Sequence, residues 1–157
     1  MKLFDITRML ENIVDFHRNQ SDALGVELLW DRPASPIYFN GIEERLAQVI
    51  VNLLSNAISF CEENDVVRLW IRERDDRILI AVEDTGPGIP EDSLETIFSR
   101  FYSQRPTGEF GGHSGLGLAI SKQIVEAHNG VIWAENIRGS GPDGEIQGAR
   151  FIIGLPT

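Results

Sequence analysis

Leu46-Ala47-Gln48-Val49-Ile50-Val51-Asn52-Leu53-Leu54-Ser55-Asn56-Ala57 decides how this chain folds. Leu46, Val49, Ile50, Leu53, Leu54 and Ala57 recur at three- and four-residue spacing, which makes one apolar face of a helix running from Ile42 to Cys61. Asn52 and Asn56 are four residues apart, so they lie about 40° apart on a second stripe, at the edge where a pocket wall would stand. Paired amides there offer oxygen acceptors for a hard cation such as Mg²⁺ and N–H donors for phosphate oxygens. Taken alone, the pair is more plainly read as two solvated residues beside a core helix.

Working outward, Phe4-Asp5-Ile6 reads as an extended entry to a helix from Thr7 to Leu24, with Met9, Leu10, Ile13 and Phe16 as its apolar stripe and Gly25 as its stop. Val26–Trp30 and Ile37–Asn40 read as strands, punctuated by Pro33 and Pro36. Val66–Arg74 and Arg77–Glu83 form a strand pair closed at Asp75-Asp76. Pro90–Phe98 is expected as a short helix with acids in its first turn. A polar, glycine-bearing stretch from Ser103 to Ser114 shows no period. A helix from Leu116 to His128 then stops at Asn129-Gly130, and Val131–Ile137 and Arg150–Leu155 are strands on either side of a glycine-rich connector. Hairpins interleaved with helices imply an α+β fold. It is expected as a two-layer α/β sandwich, a mixed sheet of about five strands with three main helices on one face. Residues 1–157 read as one domain.

Composition narrows the function. A net charge of −10 excludes a general nucleic-acid surface, since phosphate backbones need clustered Lys and Arg. It also opposes a free polyphosphate at long range, so any phosphate ligand needs a metal and local donors. No apolar run reaches the roughly 20 residues that cross a membrane, and the first residues form no signal peptide. The single cysteine, Cys61, reads as a core filler.

Two further motifs carry chemistry. In Arg77–Glu83, Ile78, Ile80 and Val82 point to one face, and Asp84 continues that alternation. An acid on a core-facing register needs a partner, and an exocyclic adenine amine donates where a carboxylate accepts. Gly86 and Gly88 let backbone approach such a ligand without an intervening Cβ. An ordinary Asp-Thr-Gly turn is the plainer reading of this segment. Gly111-Gly112-His113-Ser114-Gly115-Leu116-Gly117-Leu118 opens a helix whose free N–H groups and dipole suit an anion. It lacks the Gly-Lys-Ser/Thr of a P-loop and the preceding strand of a dinucleotide fingerprint.

In this order and spacing, the motifs resemble the catalytic ATP-binding domain of sensor histidine kinases, which share the Bergerat fold with the gyrase, Hsp90 and MutL ATPases. The resemblance implies that Asn52-Leu53-Leu54-Ser55-Asn56-Ala57 is the N box, with Asn56 a Mg²⁺ ligand and Asn52 near the phosphates. It implies that Asp84 reads adenine within the first glycine box, Asp84–Gly88. Ile97–Tyr102 becomes the F box and Gly115, Leu116, Gly117 and Leu118 the second glycine box. Residues from about 89 to 114 become an ATP lid, from which Arg100 or Arg105 reaches phosphate. The lid and the following helix resemble the envelope-sensing ChvG/ExoS kinases of alphaproteobacteria. The implied cofactors are ATP and Mg²⁺. The implied partners are a phosphoacceptor histidine hairpin of the same kinase and a downstream response regulator, and the implied place is the cytoplasmic side of an inner-membrane receptor.

Departures from the family pattern sharpen the expectation. Ser59 stands where many relatives carry a phosphate-binding Lys or Arg, three residues after Asn56. Asn52 stands where the ATPases and serine kinases of the fold place a general-base Glu; an amide takes no proton, so hydrolysis and serine phosphorylation are disfavoured. No phosphoacceptor box surrounds His17, His113 or His128, which read as structural or solvent-facing, with His128 suited to a helix dipole. The chain therefore reads as a catalytic domain excised from its sensor, membrane and dimerisation segments, and a nucleotide-binding regulatory module or an ATPase of the same fold are the rival functions.

Overall fold

The computed structural model describes residues 1–99, 117–140 and 144–157. Its elements are β1 (Lys2–Asp5), α1 (Ile6–Ala23), β2 (Glu27–Asp31), β3 (Tyr38–Gly41), α2 (Glu43–Phe60), β4 (Val66–Arg74), β5 (Arg77–Asp84), α3 (Gly117–Ala127), β6 (Val131–Arg138) and β7 (Ile146–Pro156). Five strands form one mixed sheet in the order β2-β4-β5-β7-β6, parallel between β2 and β4 and antiparallel elsewhere. The three helices cover one face, as the element pattern implied. β1 and β3 pair apart from it as a two-stranded ribbon, with Phe4 opposite Phe39.

Alternation puts Val67, Leu69 and Ile71 of β4, Ile78, Ile80 and Val82 of β5, and Phe151, Ile153 and Leu155 of β7 on the covered face. Leu53, Leu54, Ala57 and Ile58 of α2 are buried in the same core. The other face carries a charged row, with Arg150 Nε 2.6 Å from Glu83 and Arg150 Nη1 3.3 Å from Glu135. Trp70 Nε1 donates to the same Glu83 carboxylate at 3.0 Å.

Local chemistry sets the boundaries. Asp5 caps α1 by accepting from the Arg8 N–H at 3.0 Å. Asn129, at φ +61°, ends the α3 region while the Gly130 N–H returns to Val125 O at 3.0 Å.

Three expectations change. Pro90–Phe98 is not one helix but two 3₁₀ turns, Glu91–Ser93 and Thr96–Phe98, closed by bonds such as Ser93 N–H to Pro90 O at 2.8 Å and Ser99 N–H to Thr96 O at 2.9 Å. Asp, Ser and Thr compete for local backbone bonds and Ile is β-branched, so the segment lacks the propensity to extend into an α-helix. The stripe of α1 differs at one position: Met9, Leu10 and Ile13 are buried as expected, together with Ile6, Val14, His17 and Ser21, while Phe16 is 82% exposed. His17 takes the inward place because its ring is satisfied there, with Nδ1 2.8 Å from Ile13 O and Nε2 3.2 Å from Ser55 Oγ. The last strand starts at Ile146, earlier than Arg150, after a register irregularity opposite Ile137 and Arg138.

The outward place of Phe16 is testable by urea denaturation. Leu10→Ala is expected to cost about 2–5 kcal/mol, and Phe16→Ala to stay within about 0.5 kcal/mol of the parent. A loss at Phe16 comparable with that at Leu10 would contradict the burial described.

Candidate active site

The site begins where β5 runs out. Asp84 is only 6% exposed, on the covered face in register with Ile78, Ile80 and Val82. Its Oδ1 accepts from the Gly86 N–H at 2.9 Å and, more weakly, from the Ala149 N–H at 3.4 Å. Burial pushes the carboxyl above its ordinary value; the two N–H groups pull it back, and the charge of Asp65 adds to the rise. No Lys or Arg among the described residues neutralises it. A buried acceptor without a cation suits a ligand that brings N–H donors.

The loop after Asp84 is folded over the ends of β6 and β7. Gly88 has φ +83°, and a Cβ there would sit 2.4 Å from Ile146 Cγ2 and 2.9 Å from Asn136 Oδ1. Gly148 is equally constrained, since a Cβ would fall 1.8 Å from Asp84 O. Thr85 continues the sheet, its N–H reaching Val66 O at 3.0 Å and its hydroxyl accepting from Val66 N–H at 2.8 Å. At Gly86 a Cβ would crowd Asp84 Oδ1 at 3.1 Å and Phe60 O at 3.4 Å, so the loop touches the C-terminal end of α2.

The N-terminal end of α3 approaches α2 one turn before Asn56. Asn52 Nδ2 lies 3.4 Å from both Gly117 O and Ser121 Oγ, long contacts that set the amide against the first turn of α3. Among the described residues, a Cβ on Gly117 would meet Asn52 at 3.8 Å, an ordinary contact. The far ends of the two helices are tied as well: the Ile42 N–H donates to His128 Nε2 at 3.1 Å, while His128 Nδ1 is 2.8 Å from Ile124 O. Because Nε2 accepts, His128 serves as a neutral bridge and not as a charged partner of the helix dipole.

Asn52, Asn56 and Phe60 lie at i, i+4 and i+8 on α2, each step turned by about 40°, over a rise of about 12 Å, and Phe60 reaches the loop through its carbonyl oxygen. Asn52 meets α3, Phe60 meets the loop beside Asp84, and Asn56 stands half-buried between them. Asn56 presents an amide oxygen, a hard donor suited to Mg²⁺. Among the described residues no three His, Cys, Asp or Glu cluster as a metal site, and that donor set fits an ion held mainly by phosphates and water. Ser59 spends its hydroxyl on Asn56 O at 2.7 Å. Leu118 is partly buried against the core. Phe98 of the F box packs edge-on against Phe151 with ring centroids 6.2 Å apart. Arg100, Arg105, His113, Gly115, Leu116 and most of the expected lid lie outside the described residues.

Sequence reasoning missed Asn136. Its Oδ1 accepts from the Ile89 N–H at 2.7 Å and its Nδ2 donates to Ile89 O at 2.8 Å. The available signal was an Asn inside a strand, where that residue is depleted. The Ser121 contact with Asn52 left no sequence signal. Cys61 caps α2, partly buried against the core; burial first, then Asp84 and Asp65, push its thiol up to about 12, so it is inert beside the site.

Residues 41–157 match the family described as histidine kinase-, DNA gyrase B-, and HSP90-like ATPase, and the chain belongs to that family. The sensor protein ChvG of Rhizobium meliloti (strain 1021) is 44% identical over 166 residues, covering 99% of this chain and 28% of ChvG. The sensor protein kinase WalK of Staphylococcus aureus is 33% identical over 159 residues, covering 99% of this chain and 36% of WalK. The nucleotide-free catalytic domain of the histidine kinase ThkA aligns with a TM-score of 0.82 at 26% identity, over 99% of this chain and 94% of that one. With these relatives the chain stands among the ATP-binding catalytic domains of sensor histidine kinases, as its motifs implied. It spans about a third or less of the curated relatives' length. Among the described residues, no helix is long and apolar enough to cross a membrane.

The desolvated carboxylate makes a signed prediction. Asp84 binds its proton more tightly in the folded chain than in the unfolded one, so its contribution to stability is greatest at low pH and is lost as pH rises through the folded value. Without nucleotide, Asp84→Asn is therefore expected to raise Tm at pH 7, with the gain shrinking toward about pH 4. Thermal denaturation across that range checks it; a difference independent of pH would contradict the desolvation.

Proposed function

We propose that this chain binds MgATP along α2 and transfers the γ-phosphoryl group to a histidine on a separate helical hairpin of the same kinase. The observation that carries this reading is the line of Asn52, Asn56 and Phe60, which joins the base-reading end at Asp84 to the helix start at Gly117. A rise of about 12 Å separates a purine at one end from phosphates at the other.

In this reading Asp84 accepts from the adenine amine, and Gly86 and Gly88 let the loop beside it pack closely against α2, β6 and β7. Asn56 supplies one oxygen to Mg²⁺, which supplies charge neutralisation when bound. Asn52 lies beside the phosphates at the first turn of α3. The N–H groups from Gly115 to Leu118 receive phosphate oxygens, and Arg100 reaches them from the lid. The chain's own contribution is positioning and exclusion of alternative acceptors, which is most of what phosphoryl transfer requires of a protein. Asn52 is an amide where a hydrolase of this fold needs a base, so water is poorly activated, whereas a neutral imidazole already carries the lone pair that attacks phosphorus. The product phosphohistidine would pass its group to a response regulator, and the domain would work on the cytoplasmic side of an inner-membrane receptor. The negative field supports a partner other than nucleic acid.

Incubating the chain with labelled ATP, Mg²⁺ and the matching phosphoacceptor hairpin is expected to label the hairpin histidine, with little phosphate release from the chain alone. ATP binding without transfer would favour a regulatory module, a reading that the uncharged Ser59 supports. Steady hydrolysis by the chain alone would favour an ATPase.

A further inference from the structure

Asp84, Ala149 and Asn136 are cross-strand neighbours in a single row of β5, β7 and β6. The row grips the Asp84–Ile89 loop at both ends. At the first end, Asp84 Oδ1 receives the Gly86 N–H at 2.9 Å and the Ala149 N–H at 3.4 Å. At the second, the Asn136 amide takes both backbone groups of Ile89, at 2.7 and 2.8 Å, as a neighbouring strand residue would. Ile89 is 4% exposed, so freeing its N–H and C=O would leave polar groups in a dry place. Gly88 fits the clamp, since Asn136 Oδ1 occupies the space a side chain would need. Arg138, two residues on from Asn136, pairs with Glu91 just beyond Ile89.

We propose that Asn136 is a positioning residue for base selectivity. It touches no nucleotide; it closes the loop so that the Asp84 acceptor is aimed at a purine amine. This rests on the reading of Asp84 as the base-recognising group. A carboxylate in a fixed place favours adenine, whose C6 group donates, over guanine, whose C6 oxygen accepts and is repelled. Asp84 itself ends β5, so a loosened loop acts on it through the Gly86 N–H that orients its Oδ1; without that hold the carboxylate loses discrimination, while ribose and triphosphate contacts, made from α2 and the start of α3, are spared.

The test is competition of ATP and GTP against a fluorescent nucleotide analogue, with Mg²⁺, in the parent chain and in Asn136→Leu and Asn136→Asp. The Leu variant removes both bonds. The Asp variant keeps size and the acceptor for the Ile89 N–H, and its result stands if the Leu variant does not fold. The expected outcome is ATP affinity about ten-fold weaker in Asn136→Leu, GTP affinity changed by less than about two-fold, and an intermediate narrowing of the ratio in Asn136→Asp. Combined with Asp84→Asn, the ATP losses are expected to be less than multiplicative, because both changes act on one contact. Equal losses for ATP and GTP, fully multiplicative losses, or an unchanged ATP affinity would overturn the proposal. If Asp84→Asn alone leaves ATP affinity unchanged, the reading of Asp84 falls and the proposal falls with it.

Discussion

Asp84 brings a carboxylate to a place where water and cations are scarce, and much of the surrounding structure is arranged to make that tolerable. Two backbone N–H groups face it, the next glycine is crowded against it, and the strand beside it must be glycine at position 148 to pass the backbone. Burial still outweighs those donors, so the group is held above its ordinary value. A cation would remove that cost but would also remove the reason to bind a donor-bearing base. The site thus carries a deliberate local deficit that a ligand makes good.

Helix α2 converts this local feature into a site with length. Its apolar side is embedded in the core through Leu53, Leu54, Ala57 and Ile58, which fixes the helix and therefore the line of Asn52, Asn56 and Phe60. α3 is registered against it at two heights, by Asn52 near its start and by His128 beyond its end. A helix fixed in this way would, on the reading proposed above, hold the base and phosphate contacts at a constant separation.

How much of this was legible in the sequence follows from how local each determinant is. The α2 stripe, the β4–β5 alternation that carries Asp84 inward, and the Asn129-Gly130 stop are short-range patterns and were readable. Phe16 misled because it lies just outside a buried arc whose inward position went to a polar His17, satisfied by Ser55 across the core. Asn136 stood out only as an Asn inside a strand, and its partner Ile89, 47 residues away, left no local signal. The parallel pairing of β2 with β4 and the separate β1–β3 ribbon are likewise long-range facts that no local period encodes. Motif order told more about ATP than any residue alone, since each box by itself had an ordinary structural explanation.

Asp84 is a buried carboxylate, and on the proposed reading a base amine is its partner. The most direct measurement follows the ¹³C shift of the Asp84 carboxyl through a pH titration, first without nucleotide and then saturated with ATP. The expected midpoint lies above the ordinary carboxylate range in the free chain and falls when ATP binds, because an N–H donor favours the charged form. A midpoint already at the ordinary value, or one that ATP does not move, would contradict it.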